Sequence, residues 1–383
     1  MALFKTPDYT FIGTNALEEA KESLKMCGKK ALIVTGKHVV KSDMMAELKK
    51  ALEDSSIAYE VFDGITGEPT NLMIEEGVVV YKNSGCDFCI GIGGGSPLDS
   101  AKAIAALITN EGKLADYNGK IIGNPIPPVV AIPTTAGTGS EATQFTVITD
   151  VETEVKMLLK GSYLVPRIAI VNPTYTYSAS SSITAATGMD ALTHAIEAYT
   201  SRKALTVTDT LAVSAVKRIM KYLPMAYRNG KDEKARYEMA IASYEAGICI
   251  NNSTVTLVHG MSRPIGALFH VPHGISNAML LKKCLEFAVD GAYEKFGNLG
   301  RAIGAATTED SDETAAGKFL EALEELCQAC EIPTLEKYGI PKDQFYDRME
   351  KMASDAVASG SPGNTMKEVT EADCIAIYKK LWE

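Results

Sequence analysis

The sequence lacks any long apolar run and any excess of positive charge. None of its 383 residues falls in a segment approaching the roughly 20 apolar residues of a membrane-spanning helix. The N-terminal stretch has neither the basic start nor the apolar core of a secretory signal. With 38 Lys and Arg against 48 Asp and Glu, the net charge is −10, which disfavours nucleic acid and anionic membrane surfaces as partners. These absences predict a cytoplasmic protein that acts on a small molecule.

A disulfide framework is also not expected. The eight cysteines are spread along a long chain without a secretory signal, so they are predicted to be reduced thiols. Two pairs have CxxC spacing, Cys86 with Cys89 and Cys327 with Cys330. Neither has the second pair and the loop context of a zinc knuckle. The cysteines are therefore expected to behave as small buried hydrophobic residues.

The first half of the chain alternates strand-like with helix-like segments. This alternation is typical of βαβ units with a parallel sheet. After about residue 180, alanine, methionine and glutamate recur at helical spacing without a convincing strand. We predict an α/β nucleotide-binding domain at residues 1–181 and an all-α domain at residues 182–383. The predicted strands are 30–36, 58–64, 87–95 and the apolar start of 127–141, and the predicted helices are 43–54, 72–84 and 97–109.

A run of three glycines joins one predicted strand to the next helix. Gly93, Gly94 and Gly95 let backbone amides approach a phosphate closely, and the following Ser96 and Pro97 are typical of a helix N-terminus. The helix dipole favours negative charge at that point. Tight turns also use glycine for geometry alone, and the spacing differs from the GxGxxG fingerprint. This loop alone is therefore weak evidence for a phosphate site.

A second loop of similar character follows the next predicted strand. In "IPTTAGTGSE", Thr134, Thr135 and Thr138 offer hydroxyl groups, and the glycines between them permit close approach. Ligands of open parallel sheets bind at the carboxyl ends of the strands. Two such loops at neighbouring strand ends favour a dinucleotide over a single phosphate.

The end of the first predicted strand indicates which dinucleotide is bound. A cofactor with a free ribose 2′-hydroxyl is usually held there by an acidic side chain. This chain instead has Gly36, with Lys37 and Lys41 nearby. Space together with positive charge suits a 2′-phosphate, so NADP is predicted, with NAD as the alternative.

Histidine is scarce, and its positions are concentrated. Of five histidines, three fall within residues 259–273. A fourth, His194, follows Asp190 by four residues on a predicted, largely apolar helix, so both side chains project from one face. A buried aspartate and histidine need partners, which His259 and His273, on another helix and the loop after it, can supply. This donor set suits Fe²⁺, or Zn²⁺ as the alternative. The competing interpretation is that each histidine packs in the core.

At these motifs the chain resembles the iron-dependent (group III) alcohol dehydrogenase family. The matching segments are "GGGSPLDSAKAIA", "AIPTTAGTGSEAT", "ATGMDALTHAIEAYTS" and "VHGMSRPIGALFHVPHGISNAMLL". They occur in the family's order, and the likeness extends over almost the whole chain. The resemblance implies an N-terminal nucleotide-binding domain and a helical, metal-binding C-terminal domain. It also implies that Asp190, His194, His259 and His273 are the metal ligands.

The resemblance assigns further residues. Arg263 stands where relatives often have a histidine of the proton relay, so His270 is the expected substitute. Arg263 is then the second catalytic candidate, either hydrogen-bonded to helix carbonyls or recognising an anionic group. Glu68 replaces an asparagine near the cofactor. The implied cofactor-binding residues are Gly36, Gly93, Gly94, Gly95, Ser96, Asp99, Thr134, Thr135, Thr138 and Lys156.

The predicted function is hydride transfer between a small primary alcohol or aldehyde and NAD(P). One alternative is a zinc enzyme that uses NAD and resembles dehydroquinate synthase or glycerol dehydrogenase. Another is a metal-free nucleotide-binding regulatory protein. The segment "YTFIG" is predicted to be an edge strand that pairs between subunits, and a homodimer or a higher homo-oligomer is expected.

Overall fold

The computed structural model describes residues 3–153 and 155–383. The chain divides into two compact units. The first is an α/β unit that ends at Ala179, called the nucleotide unit after the dinucleotide predicted to bind there, and the second is a helical unit, Ser180–Glu383. No helix within the described ranges is long and apolar enough to cross a bilayer. The predicted class, an α/β region followed by an all-α region, is confirmed.

The nucleotide unit contains a six-stranded sheet in the order β1-β8-β5-β4-β2-β3, in which every neighbouring pair is parallel. Strands β4 and β5 are buried along their whole length because the sheet is covered on both faces. The strands are β1 Tyr9–Ile12, β2 Lys30–Val34, β3 Ala58–Phe62, β4 Phe88–Gly93, β5 Val129–Pro133, β6 Phe145–Asp150, β7 Val155–Lys160 and β8 Ile168–Val171.

Two features of this unit were not predicted. Strands β6 and β7 form a separate antiparallel hairpin, with Val147 opposite Leu158. Strand β8 inserts between β1 and β5. A four-residue apolar run gives no periodicity from which a strand could be recognised. The helices of the unit are α1 Ala16–Glu19, α2 Lys21–Lys25, α3 Lys37–Val40, α4 Asp43–Asp54, α5 Asn71–Ser84 and α6 Gly95–Thr109.

The helical unit is organised around α7. This helix packs against α8, α9 and α11, and its residues from Gly188 to Tyr199 are all buried. All eight cysteines of the chain are free thiols, as predicted. The helices are α7 Ser181–Tyr199, α8 Thr206–Arg228, α9 Glu233–Asn252, α10 Leu257–Phe269, α11 His273–Ala288, α12 Tyr293–Ala302, α13 Asp312–Ala329, α14 Leu335–Tyr338, α15 Lys342–Ala358 and α16 Glu371–Lys380.

Candidate metal and dinucleotide sites

Helix α7 carries the first two candidate ligands. Ser180 caps its N-terminus by accepting a hydrogen bond from the Ile183 amide, and the apolar face of the helix is buried against its neighbours. Asp190 and His194 lie one turn apart and are both buried. His194 Nε2 lies 3.8 Å from Asp190 Oδ1.

The other two candidate ligands come from α10 and α11. His259 is buried on α10, and its Nε2 lies 3.6 Å from Asp190 Oδ1. His273 Nε2 lies at the same distance from that oxygen. The placement of His273 in a loop was wrong, because Pro272 caps α11 and His273 is the first residue of that helix. Proline residues fit the start of a helix, where an amide donor has no intrahelical partner.

The geometry of these four side chains fits one divalent cation. Each offers one ligand atom, and the four atoms lie within 4.8 Å of one another. The contacts of 3.6 to 3.8 Å are too long for hydrogen bonds. Tetrahedral ligands at about 2.1 Å from an ion would be about 3.4 Å apart. The set of three imidazoles and one carboxylate is therefore close to the shape that Fe²⁺ or Zn²⁺ requires.

Electrostatics favour the ligand protonation state of Asp190 and His273 but not that of His259. Burial alone would raise the pKa of Asp190, but His194, His273 and His259 hold that pKa below its usual range. Desolvation by the surrounding protein lowers the pKa of His273, although part of its side chain is exposed. Burial also opposes protonation of His259, yet the Glu197 carboxylate raises its pKa to about 8. Asp190 is thus ionised and His273 neutral, as cation binding requires, whereas a cation must displace a proton from His259 at neutral pH.

Two polar residues beside the ligands were not predicted from the sequence. Glu197 is fully buried on α7, and its Oε2 lies 2.5 Å from His259 Nδ1. Asn277 is fully buried on α11, and its Nδ2 donates to Asp190 Oδ1 at 2.8 Å. Glu197 and Asn277 follow His194 and His273 by three and four residues, so helical spacing was the signal that could have identified them.

The two catalytic candidates lie on the same helical segment. Arg263 follows His259 by one turn, and its Nη1 donates to Ser361 Oγ at 3.0 Å, not to a helix carbonyl. His270 is exposed and ends α10 in the left-handed conformation, with φ of 53°. This conformation is uncommon for residues other than glycine, and it turns the chain from α10 toward His273.

In the nucleotide unit, the first glycine loop connects β4 to α6. Gly93 has φ of 149°, a conformation that favours glycine. The helix begins at Gly95 with Gly94 as its N-cap, so the predicted start, with Ser96 as cap and Pro97 as first helical residue, is wrong by two residues. A Cβ on Gly94 would have only Thr135 nearby, at 3.6 Å. The Gly94 backbone is therefore open to close approach.

The second loop, after β5, lies against the first. The Thr134 amide donates to the Gly93 carbonyl at 2.8 Å. A Cβ on Gly95 would lie 2.8 Å from Thr138 Cγ2. Thr135 and Thr138 thus line the glycine run, and the structure brings the two predicted loops together.

Asp99, an implied cofactor ligand, is already engaged within the protein. Its Oδ1 accepts from Ser140 Oγ at 2.6 Å, and its Oδ2 accepts from the Val147 amide at 2.8 Å. The neighbouring Lys102, fully buried, donates to Ser140 Oγ at 2.8 Å and to the Phe145 carbonyl at 3.0 Å. Asp99 and Lys102 therefore hold the second loop and strand β6 against α6. Lys102 was not predicted from the sequence.

The remaining cofactor candidates lie at two other places. Lys156 on β7 forms an ion pair with Glu68 at 2.8 Å. Gly36 is the N-cap of the short helix α3, and Lys37 and Lys41 beside it are exposed. A Cβ on Gly36 would lie 2.8 Å from the Ile65 carbonyl oxygen, so close packing also explains a glycine there.

A glycine-lined strand edge in one unit and an Asp/His₃ ligand set in the other are the two features expected of a metal-dependent dehydrogenase. Family comparison agrees: residues 7–173 match the model of iron-containing alcohol dehydrogenases, and residues 184–382 match the C-terminal model of the same family. The chain belongs to the iron-containing alcohol dehydrogenase family, whose members oxidise alcohols or reduce aldehydes.

Individual relatives match over nearly their full length. The chain is 37% identical to the NAD-dependent methanol dehydrogenase of Bacillus methanolicus, covering 94% of this chain and 95% of that one. It is 35% identical to the 1,3-propanediol dehydrogenase of Klebsiella pneumoniae, covering 98% of both chains. A crystal structure of a 1,3-propanediol oxidoreductase superimposes with a TM-score of 0.96, at 35% identity and 100% coverage of both chains.

Proposed function

We propose that this protein is a metal-dependent alcohol dehydrogenase that transfers a hydride between a small primary alcohol or aldehyde and NAD(P), with NADP preferred. The observation that carries the proposal is the convergence of Asp190, His194, His259 and His273, whose ligand atoms lie within 4.8 Å. Packing in the core would not by itself require three Nε2 atoms to point toward one carboxylate oxygen.

The residues of the helical unit would hold the cation and the substrate oxygen. Bound Fe²⁺ or Zn²⁺ would act as a Lewis acid that polarises an aldehyde or lowers the pKa of an alcohol. Asp190 supplies the negative charge of the ligand set, and His194, His259 and His273 supply neutral donors. The site is otherwise buried, apart from His273, whose side chain is 43% exposed. We therefore propose that the substrate reaches the cation from the side on which His273 is exposed.

The residues of the nucleotide unit would bind the dinucleotide. Gly93, Gly94 and Gly95 would offer backbone amides to the pyrophosphate at the start of α6, where the helix dipole favours negative charge. Thr134, Thr135, Thr138 and Ser96 would supply hydroxyl donors, and Lys156 would contribute positive charge. Asp99 contributes by holding the second loop, because both of its carboxylate oxygens accept hydrogen bonds from the protein.

His270 is the proposed proton acceptor for alcohol oxidation. It is exposed and lies three residues before the ligand His273. A guanidinium stays protonated in proteins, so Arg263 would not relay a proton. Its positive charge, one turn after His259 and anchored by Ser361, would favour an anionic transition state or substrate group.

The preference for NADP rests on Lys37 and Lys41. Both are exposed beside Gly36 and would attract a ribose 2′-phosphate. NAD is the alternative, supported by the NAD dependence in the name of the methanol dehydrogenase relative and by the close packing of Gly36 against Ile65. A cytoplasmic location and a homodimer formed through β1, an edge strand of the sheet, stay predictions.

The test is oxidation of a panel of small alcohols by protein reconstituted anaerobically with Fe²⁺, using NADP and NAD side by side. We expect turnover that is lost in metal-stripped protein and is faster with NADP. In the Lys37→Glu/Lys41→Glu variant the NADP preference should fall several-fold, on the order of 1 kcal/mol. Lys50→Glu, an exposed change near the end of α4, is the control for reversal of a surface charge elsewhere in the unit.

Two outcomes would contradict different parts of the proposal. Equal turnover with NAD, unaffected by the lysine substitutions, would remove the NADP preference and leave the dehydrogenase. Metal binding without hydride transfer to either cofactor would instead favour a zinc lyase or cyclase of the dehydroquinate synthase type.

A further inference from the structure

We propose that Glu197 and Asn277 are positioning residues of the metal centre. Glu197 fixes the ring and the tautomer of His259, and Asn277 fixes the carboxylate of Asp190. This inference rests on the cation binding of the proposed function, and it assigns the two residues that determine how tightly and in what geometry the cation is held.

Glu197 lies on the same face of α7 as the first two ligands. It follows Asp190 by seven residues and His194 by three, a spacing that places all three side chains on one side of the helix. Its carboxylate is fully buried, and an unpaired buried carboxylate would be strongly destabilising. Its environment should therefore show which groups compensate the charge.

Both oxygens of Glu197 are engaged by the segment that carries His259. Oε1 accepts from Thr256 Oγ1 at 2.8 Å and from the Val258 amide at 2.6 Å. Oε2 accepts from His259 Nδ1 at 2.5 Å. The His259 amide is a fourth donor, 3.4 Å from Oε1. All four donors come from the start of α10, so the direction of the carboxylate relative to the His259 ring is determined.

The contact with Nδ1 decides which nitrogen of His259 can bind a cation. A carboxylate can only accept, so Nδ1 carries a proton and Nε2 is the ring nitrogen that can bind a cation. That nitrogen is the one 3.6 Å from Asp190 Oδ1. A carboxylate at the far nitrogen also makes the imidazole a stronger donor to a cation.

Asn277 holds the opposite side of the ligand set. Its Nδ2 lies 2.8 Å from Asp190 Oδ1 and 3.2 Å from both His259 Nε2 and His273 Nε2. The nearest neighbour, Asp190 Oδ1, can only accept, so the amide nitrogen, not the amide oxygen, faces it. Once the imidazole lone pairs bind a cation, Asp190 remains as the acceptor for this amide. Asn277 thereby orients the one anionic ligand without adding charge.

The test compares the affinity for Co²⁺ and Zn²⁺ in purified full-length protein, by competition with a chromophoric chelator. The Co²⁺ absorption spectrum reports ligand geometry, so neither measurement depends on turnover. We expect Glu197→Gln to weaken cation binding about 10- to 100-fold, because a glutamine can donate to Nδ1 and so move the ring proton to Nε2. Asn277→Ala should weaken binding about tenfold and alter the Co²⁺ spectrum.

Two further variants control for general effects of burial and folding. Glu245→Gln changes a mostly buried glutamate on α9 that accepts from Ser214 Oγ and is not in contact with the ligands, so cation affinity should stay as in the parent protein. Thr256→Val removes one donor to Glu197 while conserving shape, and a loss of two- to fivefold is expected. If Glu197→Gln does not fold, the cation affinities of Thr256→Val and Asn277→Ala test the positioning role.

The failures of the two proposals are distinguishable. If the parent protein binds neither Co²⁺ nor Zn²⁺, the proposed function fails at its metal site. If the parent binds both ions and the Glu197, Asn277 and Thr256 variants bind them within twofold of the parent, with unchanged Co²⁺ spectra, the positioning role is overturned.

Discussion

Each compact unit buries a cluster of charged side chains, and the two clusters are built differently. In the nucleotide unit the Lys102 ammonium donates to Ser140 Oγ and to two backbone carbonyls at 2.8 to 3.0 Å. In the helical unit three imidazole nitrogens lie 3.6 to 3.8 Å from Asp190 Oδ1. The first cluster consists of hydrogen bonds within the protein, and the second has the spacing of ligands around a cation.

The comparison shows that buried charge alone does not identify a ligand site. Both clusters are shielded from water, and burial raises or lowers the pKa values of groups in both. What differs is the length and direction of the contacts. The contacts of Asp99 and Lys102 stabilise the second loop, whereas the side chains around Asp190 have the spacing of ligands for a cation.

The largest effect is expected from removing a ligand of the helical unit. In His259→Ala, binding of Fe²⁺ or Zn²⁺ and alcohol oxidation should be abolished, because one donor of four is lost and Glu197 loses its Nδ1 partner. Dinucleotide binding, measured by fluorescence titration, should be kept because the loops lie in the other unit. The control is His38→Ala, which changes an exposed histidine outside the ligand set. Full activity of His259→Ala would refute the ligand assignment.

The next largest effect concerns Glu141 of the nucleotide unit. Burial raises its pKa from 4.5 to about 7, although its own backbone amide and the Lys102 charge oppose this. Because the folded pKa is raised, the stabilisation is full below about pH 4.5 and is lost as pH rises through about 7. The parent protein should therefore lose stability relative to Glu141→Gln between these pH values, by on the order of 3 kcal/mol at most.

The measurement is the thermal midpoint of each protein across that pH range, with Glu111→Gln as an exposed control in the same unit. The difference between parent and Glu141→Gln should widen as pH rises, while the control follows the parent. A constant difference would mean that Glu141 has the same pKa in the folded and unfolded chain.

A smaller effect tests whether the first glycine loop contacts the cofactor. Gly94 has an ordinary φ of −70°, and a Cβ there would meet only Thr135, at 3.6 Å. Gly94→Ala should therefore fold with unchanged stability but bind the dinucleotide about tenfold more weakly, since the methyl group would obstruct a phosphate. Gly123→Ala, whose Cβ has comparable room, is the matched control. Unchanged affinity in Gly94→Ala would place the pyrophosphate elsewhere.

Local features of the fold were the most predictable. Helix α4 spans Asp43–Asp54, as predicted, and α5 begins one residue before its predicted start, because apolar periodicity and cap residues act over a few neighbouring positions. The glycine loops were also recognised, since glycine marks places where the backbone must turn or be approached closely. The start of α6, the position of His273 and the β6–β7 hairpin were not, because packing against distant segments determines them.

The sequence by itself determined the alternation of strands β2 to β5 with helices α4, α5 and α6, the two glycine loops, and the scarcity of histidine that drew attention to four ligand candidates. Only the tertiary structure decided that Glu197 is the partner of His259, that Asn277 contacts Asp190, and that Asp99 and Lys102 are engaged by the second loop. These contacts join residues 38 to 87 positions apart. Local patterns are set by the backbone geometry of one element, whereas partners of buried polar groups are set by which elements pack together and by the free-energy cost of leaving such groups unpaired.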